Sequence, residues 1–64
     1  MYWTQIYDIA IALEEKFPEL DIITIRFTDL QKYVMSLEGF EGSREQCNEK
    51  ILEAIQQAWL DERG

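Results

Sequence analysis

The chain has 64 residues, 47% of them hydrophobic, with thirteen Asp and Glu against six Lys and Arg, for a formal charge of −7. A chain this short buries only roughly 60% of its unfolded surface, so it supports one hydrophobic core and no large enclosed active site. With no histidine and one cysteine, Cys47, it is excluded from intramolecular disulfides, Cys/His zinc sites, unaided iron–sulfur cluster ligation and histidine-assisted nucleophiles.

The first predicted element is an amphipathic helix over 4–17, in which Ile6, Ile9, Ala10, Leu13 and Phe17 recur at steps of three and four. Thr4 can cap it, and Pro18 disfavours helix at the residue before it. Residues 19–27 form a connection. Its run of Ile22, Ile23, Ile25 and Phe27 reads as extended chain or a short strand. A second helix is predicted over 28–38, opened by the capping-box spacing of Thr28 and Gln31 and supported by Asp29 at the positive end of the dipole. Leu30, Tyr33, Val34 and Leu37 supply its buried face, and Gly39 its stop. In the glycine-rich loop 39–43, Phe40 is expected to pack back on the core. Ser43 and Gln46 have a second capping-box spacing, so the third helix is predicted over 44–61, with Cys47, Ile51, Ala54, Ile55, Ala58 and Trp59 as its apolar stripe. Cys47 on that stripe reads as a small core residue rather than a sulfur acceptor, and Trp3, Phe17, Phe27 and Trp59 as core.

These elements give a mainly α fold: a compact three-helix domain over residues 1–64 with a short extended segment, resembling a reduced winged-helix or helix-turn-helix topology. A DNA-reading version would need cations on its second helix, where Lys32 instead lies with Asp29 and Glu38. The negative charge also repels phosphate backbones and favours basic protein surfaces or hard cations, so nucleic acid is not an expected partner. No apolar run approaches the ~20 residues that span a bilayer. Met1-Tyr2-Trp3-Thr4 does not open like a signal peptide, so the expected location is the cytoplasm and no membrane is involved.

Three strings carry a family resemblance over nearly the whole chain. Asn48 to Glu62, "NEKILEAIQQAWLDE", closely matches the C-terminal helix of the IscX family; Arg26 to Leu30, "RFTDL", matches its entry to the second helix. Trp3-Thr4, paired with Phe17-Pro18-Glu19-Leu20-Asp21, resembles its tryptophan–threonine start and its "YPDLDP" segment. The resemblance implies a small accessory protein of iron–sulfur cluster assembly that docks through its acidic surface on the cysteine desulfurase IscS, overlapping the frataxin site. It also implies weak binding of ferrous iron by exposed carboxylates, with no tightly bound cofactor.

On a continuous helix, Asp8, Glu15 and Glu19 would fall within roughly 40° of one another, opposite Ile6, Ile9 and Leu13. The resemblance makes them the candidate Fe²⁺ ligands; without it, the stripe is a solvated charged face. Asp8 and Glu15 are two turns apart, about 10 Å, so one ion needs a group between them. Ile11 stands there instead, where the family often has an acid, and Gln5 replaces another. Ile11 reads either as an apolar contact for a protein partner or as an ordinary single surface isoleucine. The family's "FDDDP" run is here Phe40-Glu41-Gly42-Ser43-Arg44, leaving only Glu38 and Glu41 as local acids. Candidate partner-binding residues are Asp8, Ile11, Glu15, Glu19, Asp21, Arg26, Asp29, Glu38, Glu41, Asp61 and Glu62. Arg26 is either an ion pair with Asp29 or a partner contact. Glu45, Glu49 and Glu53 share one face of the third helix, at a spacing that is mildly repulsive.

The resulting reading is a monomeric, non-enzymatic regulator that binds the desulfurase, with iron as a weak modulator. The alternative is a weak Fe²⁺ carrier whose protein docking is incidental. Carboxylates on an exposed convex face lack the desolvated pocket that acid–base catalysis requires.

Overall fold

Cap and turn chemistry divides the chain into three helices. The computed structural model describes residues 1–64: α1 spans Ile6–Lys16, α2 Phe27–Met35 and α3 Glu49–Arg63, with one 3-10 turn at Arg44–Gln46 and no strands. Lacking the strands of a wing, the fold resembles a winged helix only loosely.

α1 starts two residues later than the predicted range 4–17, and its N-cap is Gln5 rather than Thr4. Gln5 makes no capping bond; its Oε1 accepts the Tyr2 amide at 2.8 Å instead. The helix stops where Pro18 requires, with Phe17 leaving helical geometry at φ −128°. The connection to α2 is organised by Asp21 rather than by strand pairing. One carboxylate oxygen accepts the amides of Ile23 (3.0 Å) and Thr24 (3.4 Å), and the other accepts the Thr24 hydroxyl at 2.7 Å. Ile22 is thereby turned into the core, and its carbonyl accepts from Gln56 Nε2 at 2.9 Å.

α2 begins at Phe27, so the Thr28–Gln31 capping box does not form. Arg26 is the N-cap, in extended conformation, which places Thr28 inside the first turn. Gln31 Nε2 donates to the Arg44 carbonyl at 3.4 Å. The helix ends at Met35; the Ser36 hydroxyl donates to the Tyr33 carbonyl at 2.6 Å, and the chain turns at Gly39 with φ +80°. That left-handed position suits glycine, which has no Cβ to clash there.

The Ser43–Gln46 capping box does form, but it caps only the 3-10 turn. Cys47 is extended (φ −95°, ψ 148°) and interrupts the helix. Asn48 then restarts it, its Oδ1 accepting the Ile51 amide at 2.9 Å. α3 therefore runs 49–63 rather than 44–61, and Cys47 is half-buried outside it rather than on its stripe. The buried face of α3 is Leu52, Ile55, Ala58 and Trp59, while Ala54 is exposed and Ile51 half-buried.

α1 and α3 lie side by side and run in the same direction. Ile6 and Tyr7 neighbour Ala54 and Ala58 at one end, and Glu14 bonds Trp59 and Arg63 at the other. α2 packs across their C-terminal half, where Tyr33 meets Phe17 with ring centres 4.9 Å apart and Lys16 Nζ donates to the Ser36 carbonyl at 3.0 Å. The return loop seals the other end. Trp3, buried, donates its indole N–H to the Ser43 carbonyl at 2.7 Å and meets Phe40 edge to face at 4.8 Å. Gly42 lies so close that a Cβ there would fall 2.6 Å from Trp3 Cδ1. Phe17 and Phe27 pack against the core half-buried rather than within it.

Candidate functional site

The surface is dominated by acids without cationic partners. Of the thirteen carboxylates, two form ion pairs: Glu14 with Arg63 at 2.9 Å and Glu41 with the Met1 ammonium at 3.7 Å. Eleven are left with no cation within 4.0 Å. Arg26 and Asp29 form no ion pair, although both sit at the start of α2 and are exposed.

Helix geometry places Asp8, Ile11 and Glu15 together on the solvent face of α1, all exposed. Glu19 is not part of that helical stripe. α1 ends at Lys16, and Glu19 lies in the turn after Pro18, where helical spacing no longer sets its direction. Asp8 accepts from Gln5 Nε2 at 3.4 Å. Glu15 shares a shallow groove with Ala12, Lys16, Leu37 and Glu38, so two predicted residues from different elements face one depression. Nowhere do three carboxylates, or carboxylates with Cys47, gather closely enough to hold one metal ion.

The remaining residues are dispersed. Asp21 is held by its own turn, and the Thr24 hydroxyl and then the Thr24 amide keep its carboxyl below the ordinary value of 3.8. Glu41 is tied to the N-terminal segment, its amide donating to the Met1 carbonyl at 2.7 Å. Asp61 accepts from Gln57 Nε2 at 3.2 Å, and Glu62 is exposed in the last turn of α3. Glu49 and Glu53 share an outer face of α3 with Asn48 and Lys50, but Glu45 lies in the 3-10 turn and leaves that row. Partial burial raises the Cys47 thiol above its ordinary value, partly countered by the Gln31 side chain.

Two features escaped sequence reasoning. Glu14 accepts from both Trp59 Nε1 and Arg63 Nε at 2.9 Å, while Arg63 also donates to the carbonyls of Phe17 (2.9 Å) and Leu20 and stacks 5.7 Å over Trp59. A buried tryptophan needs an acceptor for its N–H, which is the signal that could have pointed to Glu14. The other is Tyr7, 77% exposed on the same face of α1 as Ile11.

No helix is long and apolar enough to cross a membrane. The chain is 44% identical over 61 residues to an uncharacterized protein of Pseudomonas aeruginosa, an alignment covering 95% of this chain and 92% of that protein. Residues 1–64 match the family described as iron-sulphur cluster assembly. The match spans both the helical frame and the acidic face built on it, and the chain belongs to this iron–sulphur cluster assembly family, the IscX family.

Proposed function

We propose that this protein is a non-enzymatic regulatory adaptor of iron–sulfur cluster assembly, acting in the cytosol as a monomer and binding the cysteine desulfurase at a surface that frataxin also uses. The observation that carries this reading is the set of eleven unpaired carboxylates on a chain of charge −7. Such a surface accelerates encounter with a basic protein and makes the complex sensitive to salt. Asp8, Glu15 and Glu38, exposed on α1 and on the turn facing it, are the charges it relies on most. The alternative, in which Asp8, Glu15 and Glu19 carry Fe²⁺ as cargo, has less geometric support because no three ligands converge. Iron would then bind weakly, with water completing its shell.

Isothermal titration against the organism's own desulfurase tests the reading, at low and moderate salt and with or without anaerobic Fe²⁺. Saturable binding that weakens with salt, and is lost when Asp8, Glu15 and Glu38 are each changed to Lys, is the expected result. No binding at any salt would sink it.

A further inference from the structure

α3 does not spend its whole apolar stripe on the core. Ile51 is half-buried and Ala54 exposed, in register with the buried Ala58 at steps of three and four. Ala54 and Ala58, with Gln57, floor a shallow trough between α1 and α3, while Ile51 lines a separate depression with Tyr2, Trp3, Thr4 and Gln46. Tyr7 stands 77% exposed as its wall, and Ile11, one turn further along α1, is 42% exposed. Neither has a role in the core. Two large apolar side chains left on one helix face beside small residues on the next are the pattern of a docking groove rather than of scattered surface hydrophobics.

The rim is acidic. Asp61 lines the trough at its α3 end and Asp8 adjoins Tyr7, while Glu15, one turn beyond Ile11, faces the separate groove with Leu37 and Glu38. Of the neighbouring cations, Arg63 is held by Glu14 and two backbone carbonyls, and Lys50, one turn before Ala54 on the same stripe of α3, lies beside Glu49 and Glu53 beyond the end of the trough. Two copies of this chain, each at −7, would repel one another on approach. The rim instead complements a cationic occupant.

We propose that this trough is the apolar anchor of the docking surface and receives an amphipathic helix of the basic partner. That helix presents small aliphatic side chains to Ala54 and Ala58, and Lys or Arg to Asp8 and Asp61. The proposal rests on the desulfurase reading and adds to it that Tyr7, not charge alone, sets affinity. An exposed tyrosine over a small-residue floor is the kind of side chain on which interface energy concentrates.

The test is desulfurase titration of wild type, Tyr7→Ser and Ala54→Gln. Both positions are exposed, so neither change removes a buried group, and melting curves verify that the fold is kept. Each variant is expected to bind ~10-fold or more weakly, with the wild-type salt dependence retained because no charge has changed. Asp8→Lys should instead flatten the salt dependence. If wild type binds and either variant binds equally well, the anchor is overturned while the adaptor reading stands. If wild type does not bind, both fall. Concentration-dependent dimers in sedimentation that vanish with Tyr7→Ser would assign the trough to a second copy and likewise overturn the proposal.

Discussion

Replacing Arg63 by Ala tests whether the end of α3 is a frayed tail or a clasp. The substitution removes hydrogen bonds to Glu14 and to the Phe17 and Leu20 carbonyls, together with the cation over Trp59. Bonds from a charged donor are worth ~1.5–3 kcal/mol each when well buried. The Arg63 side chain is 30% exposed and that of Glu14 24%, and both carbonyls can be rehydrated, so a total of about 2 kcal/mol is the reasonable sum after screening. For a domain of this size that lowers Tm by roughly 8–16 °C. Thermal unfolding followed by circular dichroism measures it directly. Arg63→Lys should recover about half the loss, since an ammonium keeps the charge but cannot fork between acceptors. Amide exchange of residues 17–21 should quicken in the Ala variant. A fall below ~3 °C with unchanged exchange would refute the clasp and leave ordinary terminal fraying.

The remaining predictions concern local packing and caps. Gly42→Ala drives a Cβ to within 2.6 Å of the Trp3 ring, so denaturant unfolding should show a loss of about 1–3 kcal/mol. Asn48→Ala removes the side-chain cap of α3 and should cost ~1 kcal/mol, whereas Thr28→Ala, at a position with no capping role, should stay within ~0.5 kcal/mol. Thr24→Val deletes the hydroxyl that most lowers the Asp21 pKa, so carbon-detected NMR titration should find that carboxyl shifted back toward 3.8. Because the folded pKa is depressed, wild-type Asp21 stabilises the fold above pH 3.8 and loses that contribution as pH falls through the lowered value. Thr24→Val should narrow the stability difference between neutral and strongly acidic pH.

Much of the fold was legible because helix signals are local. The apolar spacing of Ile9, Ala10 and Leu13, the stop before Pro18, and the buried Leu30, Val34 and Leu37 all follow from periodicity and backbone sterics. The caps were less legible. Ser43–Gln46 has a correct capping box, yet Asn48, five residues on, is an equally good cap, and spacing does not say which one starts the long helix. Ile22, Ile23 and Ile25 read as strand by composition, but Asp21 satisfies the local amides with its carboxylate and makes a turn. For the candidate site, exposure of Asp8, Ile11 and Glu15 could be read from helix phase. The Glu15–Glu38 groove, the Tyr7 trough and the Glu14–Arg63 clasp depend on which helices become neighbours, and that is set by packing across more than twenty residues of sequence.

The co-directional pairing of α1 with α3 governs how the molecule can fold and be regulated. Two helices joined by a short hairpin could form a stable fragment, but here α1 meets α3 across 45 residues, as with Glu14 to Trp59, and the segment before α1 closes across 40, as with Trp3 to Ser43. The closures between α1 and α3 therefore pay a large loop entropy, which favours a single cooperative transition and slower folding than is usual for helical chains of this length. The trough between the two helices exists only in the fully assembled state, so a ligand seated there should raise the melting temperature of the entire chain. Partial opening cannot tune such a surface; occupancy would follow how much folded protein is present.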